Sequence, residues 1–429
     1  MLPYTVPWYK RLADPALTYS QNARSRSIPC PTAVVILLSL PCVLYAGLFP
    51  LLRGIGEPPL LIALALAVVA ILLQGTIIGL RDYWLFLIFS TLILALSFLS
   101  AMPKGWTLMH DNFAAVRHWI WIPALPIIGS AFMFICRRSF KHVERHAVKY
   151  LLVIYVATRL SRAFSGDIYT EEQAWSIYTF TSDNMIVALA FLVFLFRSRR
   201  NMLIDCVLIV LMLAISTSAQ SDLFFLWLFM LRVLQNSKLL ILALAVGTTA
   251  FILIAPLYIE AVDGIDPNSG VRAVLWRDAW VALFQTYGIG VGFGTEYITN
   301  NFSEIRGPHD WSMVGSESDL IYVATHSTYY DVALRTGVVG LSLFLIWFRS
   351  ALRLDVQLDQ RREQLHTAVV GLLLINCSVN VGLSSIQFLF GTSFCLYLLA
   401  YIRESFGRRI GSRRLAVKAR ASFMNTESV

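Results

Sequence analysis

Residues 202–234 read MLIDCVLIVLMLAISTSAQSDLFFLWLFMLRVL, and this stretch decides how the chain is threaded. As a single helix it would be about 50 Å long, well over the ~30 Å of a bilayer's hydrocarbon core. A polar break from Ser216 to Asp222 instead favours two shorter helices, near 202–218 and 219–234. The stretch therefore predicts a helical hairpin that crosses a membrane twice.

The composition of the whole chain agrees with a polytopic membrane protein. Of its 429 residues 57% are hydrophobic and only 14% are charged, and the mean hydropathy is +0.66. Soluble domains carry about 25% charged residues. Each of the six cysteines lies in or beside an apolar run, so neither a disulfide framework nor a zinc site is predicted. A large soluble catalytic domain is excluded.

Apolar runs of suitable length predict an all-α fold with about twelve transmembrane helices. The predicted spans lie near 31–52, 59–80, 83–102, 119–136, 149–165, 177–196, 202–218, 219–234, 239–259, 337–353, 367–386 and 387–402.

The distribution of charge sets the orientation of these helices. With the N-terminus inside, 26 of the 35 basic residues fall on the cytoplasmic side, but only 9 of the 26 acidic residues do. Merging residues 202–234 into one span would move the basic tail to the outer side, against the positive-inside rule. We therefore expect a multi-pass protein of a bacterial inner membrane with both termini in the cytoplasm. Because topology explains the net charge of +9, nucleic acid is not an expected partner.

This threading divides the chain into five regions, of which one is a large periplasmic loop with short helices. The regions are a cytoplasmic N-terminal segment at 1–30, transmembrane helices 1–9 at 31–259, the periplasmic loop at 260–336, transmembrane helices 10–12 at 337–402, and a basic cytoplasmic tail at 403–429.

The periplasmic loop has an internal order of its own. A turn at 266–270 precedes a predicted amphipathic helix from Val271 to about Tyr287, and alternating glycines between Gly288 and Gly294 then form a tight turn. The apolar side of the helix carries Val271, Leu275, Ala279 and Leu283. Near the end of the loop, His326 precedes a helix that continues into the tenth span.

Two motifs in this loop resemble the O-antigen ligase and Wzy-type O-antigen and exopolysaccharide polymerase superfamily. The first is SGVRAVLWRDAW at 269–280, followed by GIGVGFG at 288–294. It is similar to the family's arginine-bearing helix and the glycine-rich turn after it. The second is HSTYY at 326–330, followed by GVVG at 337–340, similar to the family's histidine segment at the head of a membrane helix.

The resemblance implies a metal-independent, inverting glycosyltransferase without a cofactor. Its donor would be an undecaprenyl-pyrophosphate-linked oligosaccharide, with Arg272 holding the pyrophosphate and His326 acting as the catalytic base. Arginine suits the first role because its planar fork binds phosphate oxygens in pairs, and Arg277 lies one turn further along the same helix. The alternatives are structural: Arg272 as an ordinary interfacial cation, and His326 as the residue before a helix cap.

The chain departs from the family at the break after residue 218. Many members have a basic residue there, whereas this chain has Gln220 or Ser221. A second pyrophosphate-binding cation must then come from elsewhere, and Arg159 and Arg162 are the best candidates, because charge at membrane depth is costly unless it faces a partner or a wet cavity. Pairing with nearby acids or lipid headgroups is the alternative. Asn184 resembles a family asparagine, although helix capping explains it equally well.

We expect polymerisation of lipid-linked O-antigen or exopolysaccharide repeats, with a flippase and a chain-length regulator as candidate partners beside membrane lipid. A ligase that transfers finished O-antigen to lipid A-core is the runner-up, since both enzymes break the same bond. A polysaccharide flippase is the alternative from another class, but transporters place their sites at mid-membrane, whereas the motif residues here lie in an outer loop.

Overall fold

The computed structural model describes the chain in several separate stretches. The described residues are 64–65, 67–69, 72, 80, 82–101, 119, 122–133, 202–214, 219–234, 236–264, 267–293, 297, 325–354, 358, 360–380, 383 and 389–403.

Within these stretches all regular structure is helical, and they contain no strand. We number the principal helices in chain order. They are α1 (Tyr83–Ala101), α2 (Ala124–Met133), α3 (Met202–Ala214), α4 (Ala219–Leu234), α5 (Ser237–Ile254), α6 (Ile259–Asp263), α7 (Pro267–Gln285), α8 (Thr328–Leu352), α9 (Gln360–Val379) and α10 (Leu389–Arg403).

Two helical stretches in the described part are long and apolar enough to cross a membrane. They are Ser237–Leu257, with a mean hydropathy of 2.4, and Thr328–Leu352, with 1.6. Along the first, large apolar side chains such as Leu239, Leu242 and Val246 are exposed. Such a surface is unfavourable in water and favourable against lipid. These features are consistent with a helical membrane protein.

The stretch at 202–234 forms two helices, as the polar break predicts. Asp205, in the first turn of α3, pairs with Arg232, in the last turn of α4, at 2.8 Å. Contact between the start of one helix and the end of the next requires that the two run antiparallel. Two antiparallel helices are therefore present where the sequence predicts a hairpin.

The main core of the described residues surrounds α9 and the C-terminal half of α8. The indole N–H of Trp227 in α4 donates to the carbonyl of Ala368 in α9 at 3.1 Å. On the other side, α1 packs on α8 through ring pairs, with centroids 4.9 Å apart for Phe86 and Trp347. These contacts hold α4 against α9 and α1 against α8.

One predicted helix start is wrong: α7 begins at Pro267 rather than Val271, since proline at the first helical position loses no hydrogen bond. The predicted span 239–259 corresponds to the apolar stretch Ser237–Leu257, in which a 3-10 turn containing Pro256 follows Ile254 because proline lacks the N–H of an α-helical ladder. Of the predicted span 367–386, residues 367–379 belong to α9, which begins at Gln360, and most of the remainder lies outside the described residues.

Candidate active site

Helix α7 brings the first motif against the second. Val271, Leu275 and Ala279 are buried and Leu283 is half-buried. Ala273, Val274 and Trp276 are buried as well, so the helix is enclosed on most sides and is not the one-sided amphipathic helix that the sequence predicts. The completely buried Trp276 stacks on Tyr330 of α8, with centroids 5.4 Å apart and planes 11° apart. Its indole N–H donates to the carbonyl of Thr325 at 2.8 Å, so the tryptophan holds the residue directly before His326.

The glycine turn after α7 docks on a kink in α8. Gly288, Gly290 and Gly292 have positive φ angles, and Gly337 has φ 69° within α8. The N–H of Val338 donates to the carbonyl of Gly288 at 2.9 Å. A Cβ on Gly290 would lie 2.6 Å from the nitrogen of Gly337, so the two backbones approach too closely for side chains.

The conformation of His326 is imposed by its neighbours. Its φ is 55°, an uncommon value for a residue other than glycine. On one side, the N–H and the hydroxyl of Thr325 both donate to Oδ1 of Asp331 at 2.8 Å. On the other, the N–H and the hydroxyl of Thr328 donate to the carbonyl of Asn380 at 3.0 and 2.9 Å. The histidine is thus the strained centre of a segment anchored at both ends.

Arg272 and His326, which the sequence selected, lie close enough to interact electrostatically. The imidazole has exposed surface, yet it stands among enough protein atoms to lose part of its hydration. This desolvation, together with the positive charge of Arg272, lowers the pKa of His326 to about 4. At neutral pH the imidazole is therefore uncharged beside a cation, which suits a site for an anionic ligand and a proton acceptor.

The other predicted cations are placed differently. Arg277 is partly buried and contacts its neighbour Asp278 at 3.4 Å, a contact that draws its guanidinium toward a carboxylate. Arg159 and Arg162, the candidates for the second cation, lie outside the described residues, as does Asn184.

Arg335 is a site-building residue that sequence reasoning did not select. It is buried in α8, donates to the carbonyl of Gly292 at 3.1 Å, and stands over the ring of Tyr297 with 5.5 Å to its centroid. Burial raises the pKa of Tyr297, so that ring stays neutral. The guanidinium thereby ties α8 to the glycine turn. The sequence could have indicated Arg335, because a charged residue two positions before Gly337 is unusual in a nearly apolar helix.

The described residues contain no group of three His, Cys, Asp or Glu side chains that could hold a metal ion. In comparisons with known proteins, no family model, curated protein or solved structure matches the chain. The family resemblance therefore depends on the two loop motifs.

Proposed function

We propose that the protein is an inner-membrane glycosyltransferase of about twelve spans, which polymerises undecaprenyl-pyrophosphate-linked oligosaccharide repeats on the periplasmic side. The observation that carries this proposal is the packing of the arginine-bearing helix α7 against the segment of His326, where the indole N–H of Trp276 donates to the carbonyl of Thr325 at 2.8 Å. The two motifs are far apart in sequence and meet at the head of an apolar helix, where the charge of Arg272 acts on His326.

The proposed reaction needs a cation and a base. The oxygen of an acceptor hydroxyl bonds to the anomeric carbon of the donor sugar, while the bond from that carbon to the pyrophosphate breaks. The electron pair leaves with the polyprenyl pyrophosphate, whose negative charge Arg272 stabilises. The hydroxyl proton passes to His326, which later releases it to water.

The lowered pKa of His326 gives this reaction an order. Without the donor, Arg272 disfavours protonation of His326. A pyrophosphate bound at Arg272 would offset that positive charge, the smaller of the two causes of the low pKa, and so raise the pKa of the imidazole in part. The base would then become a stronger proton acceptor when the leaving group is in place.

Transfer in proteoliposomes with a defined lipid-linked donor tests the proposal. We expect His326→Ala to lower the rate by about 10²- to 10⁴-fold, as loss of a general base does. The exposed Arg349, at the other end of α8, supplies a control, and Arg349→Ala should transfer normally. Near-normal transfer by His326→Ala, or strong inhibition of the unmodified protein by a chelator, would overturn the mechanism.

The acceptor distinguishes polymerase from ligase in the same assay. A polymerase lengthens the lipid-linked chain when the donor is supplied alone. A ligase transfers sugar only when lipid A-core is added. Product that forms solely with lipid A-core would replace the polymerase proposal by the ligase.

A further inference from the structure

Three buried amides form a directed chain, which we call the amide chain: Gln220, Asn376 and Asn380. Nδ2 of Asn380 donates to Oε1 of Gln220 at 2.8 Å. Nε2 of Gln220 donates to Oδ1 of Asn376 at 2.8 Å. Gln220 lies in the first turn of α4, whereas the two asparagines lie near the end of α9. The amide chain thus joins two elements about 160 residues apart.

The amide chain ends at the segment that carries His326. The carbonyl of Asn380 accepts both hydrogen bonds from Thr328, two residues after the histidine. A strained φ such as that of His326 persists only where the surrounding structure determines it. The orientation of the Asn380 backbone therefore bears directly on where the imidazole stands.

We propose that Gln220 is a positioning residue for His326. Gln220 holds the side chain of Asn380 in place. The backbone carbonyl of Asn380 then accepts the hydrogen bonds of Thr328, and Thr328 in turn restrains the strained backbone of His326. The consequence for transfer rate rests on the proposed function, whereas the anchoring of the segment stands without it. Gln220 itself need not touch the substrate.

The chemistry of an amide explains why glutamine fits this position. An amide both donates and accepts, so Gln220 can serve Asn376 and Asn380 at once. Arginine or lysine at the same place could only donate and would leave the Asn380 amide without its acceptor. In a buried setting a neutral side chain also avoids the cost of desolvating a charge. The first turn of α4 is thus suited to a positioning role rather than to anion binding.

Hydrogen–deuterium exchange of the full-length protein in nanodiscs measures the anchoring directly. In Gln220→Leu we expect the amide of Thr328 to exchange about tenfold faster, the effect of losing roughly one buried hydrogen bond. Gln364→Leu is the matched control, because Gln364 and Gln220 are both 6% exposed and Gln364 lies at the opposite end of α9. That control should leave Thr328 unchanged.

The pattern of exchange separates positioning from general loss of stability. Faster exchange confined to residues 325–331 supports the proposal. Unchanged exchange at Thr328 in Gln220→Leu, or equal acceleration in α3, α5 and the 325–331 segment, overturns it.

Thr328 supplies a second test with little risk to folding. Thr328→Val keeps the shape of the side chain and removes the hydroxyl, which donates to Asn380 and also contacts the thiol of Cys377. We expect a several-fold lower kcat, an unchanged KM for the lipid-linked donor, and rescue of kcat by Thr328→Ser. A wild-type kcat in Thr328→Val would show that the hydrogen bond from Thr328 to Asn380 does not position His326 for transfer. If the unmodified protein transfers no sugar at all, the proposed function fails, while the exchange experiment still decides the positioning role.

Discussion

The α3–α4 hairpin and the junction of α7 with α8 differ in how their charged groups are paired. In the hairpin, the buried carboxylate of Asp205 lies 2.8 Å from the guanidinium of Arg232, so opposite charges offset each other. At the junction, Arg272 stands near His326, and its charge opposes protonation of the imidazole. The first arrangement holds two helices together. The second leaves a positive charge that a bound anion would neutralise.

This difference separates a structural pair from a candidate site. The two charges of a buried ion pair offset their desolvation cost only in the folded protein. Removing one of them should therefore lower stability first. Two groups that disfavour each other's positive charge contribute little to the fold, so their loss should affect chemistry first. The variants below separate these two effects.

Among the variants that compare the hairpin with the junction, Arg272→Ala should have the largest effect, and it should fall on transfer. Loss of a preorganised cation at the leaving group typically costs about 10²- to 10³-fold in rate. Arg272→Lys should recover only part, because it keeps the charge and loses the paired geometry. The thermal midpoint in detergent should stay close to that of the unmodified protein. Normal transfer by the alanine variant would exclude Arg272 from the mechanism.

Arg232→Ala should show the reverse behaviour. It leaves the fully buried Asp205 without its cation, and breaking such a pair costs about 3–5 kcal/mol. We expect a clearly lower unfolding midpoint, measured by intrinsic fluorescence. The double variant Asp205→Leu/Arg232→Met should recover much of the loss. A midpoint unchanged by Arg232→Ala would mean that the ion pair does not stabilise the hairpin.

Gly337→Ala tests the docking of the glycine turn on α8. A Cβ there would lie 2.5 Å from the carbonyl oxygen of Gly288, at a φ that favours glycine, so we expect a loss of about 1–3 kcal/mol and reduced transfer. Gly247→Ala in α5 is the matched control, because the added Cβ has nothing within 4 Å. That control should be neutral or slightly stabilising. Equal stability of the two variants would contradict the observed packing.

Trp276→Phe should have the smallest effect. Phenylalanine keeps an aromatic ring against Tyr330 but loses the hydrogen bond to the carbonyl of Thr325, at a cost of about 1 kcal/mol. Chemical denaturation should detect this change. Trp347→Phe in α8 is the control, since Trp347 is as completely buried as Trp276 but its indole N–H has no hydrogen-bond partner in the described part of the chain. A loss for Trp347→Phe as large as that for Trp276→Phe would show that the hydrogen bond contributes little.

Sequence reasoning predicted the local parts of this arrangement. The polar residues around Ser218 indicated a hairpin because a break in an apolar run is visible without knowledge of packing. The helix after His326 and the glycine turn were predictable from residue type and spacing. The kink at Gly337 was not, because it arises from the docked turn.

The long-range contacts could not be predicted from one sequence. The hydrogen bonds of Gln220 to α9 join residues 156 and 160 positions apart. Nothing near Gln220 in the chain indicates its partner, so comparison with a family suggested only that a cation was missing there. Arg335 was not predicted for a similar reason. Its role depends on contacts with Gly292 and Tyr297, which are distant from it in sequence.

The pKa of His326 tests the pairing with Arg272 most directly. Diethyl pyrocarbonate modifies neutral imidazole, and mass spectrometry can follow its rate at His326 between about pH 7.5 and about pH 5.5. With a folded pKa near 4, below the ordinary value of 6.5, the rate should stay nearly constant in the unmodified protein. Because desolvation is the larger cause of that low pKa, Arg272→Gln should raise it only in part, and the rate should then fall modestly toward low pH. Inorganic pyrophosphate should produce a similar fall in the unmodified protein alone. A pH profile that neither Arg272→Gln nor pyrophosphate alters would contradict the account.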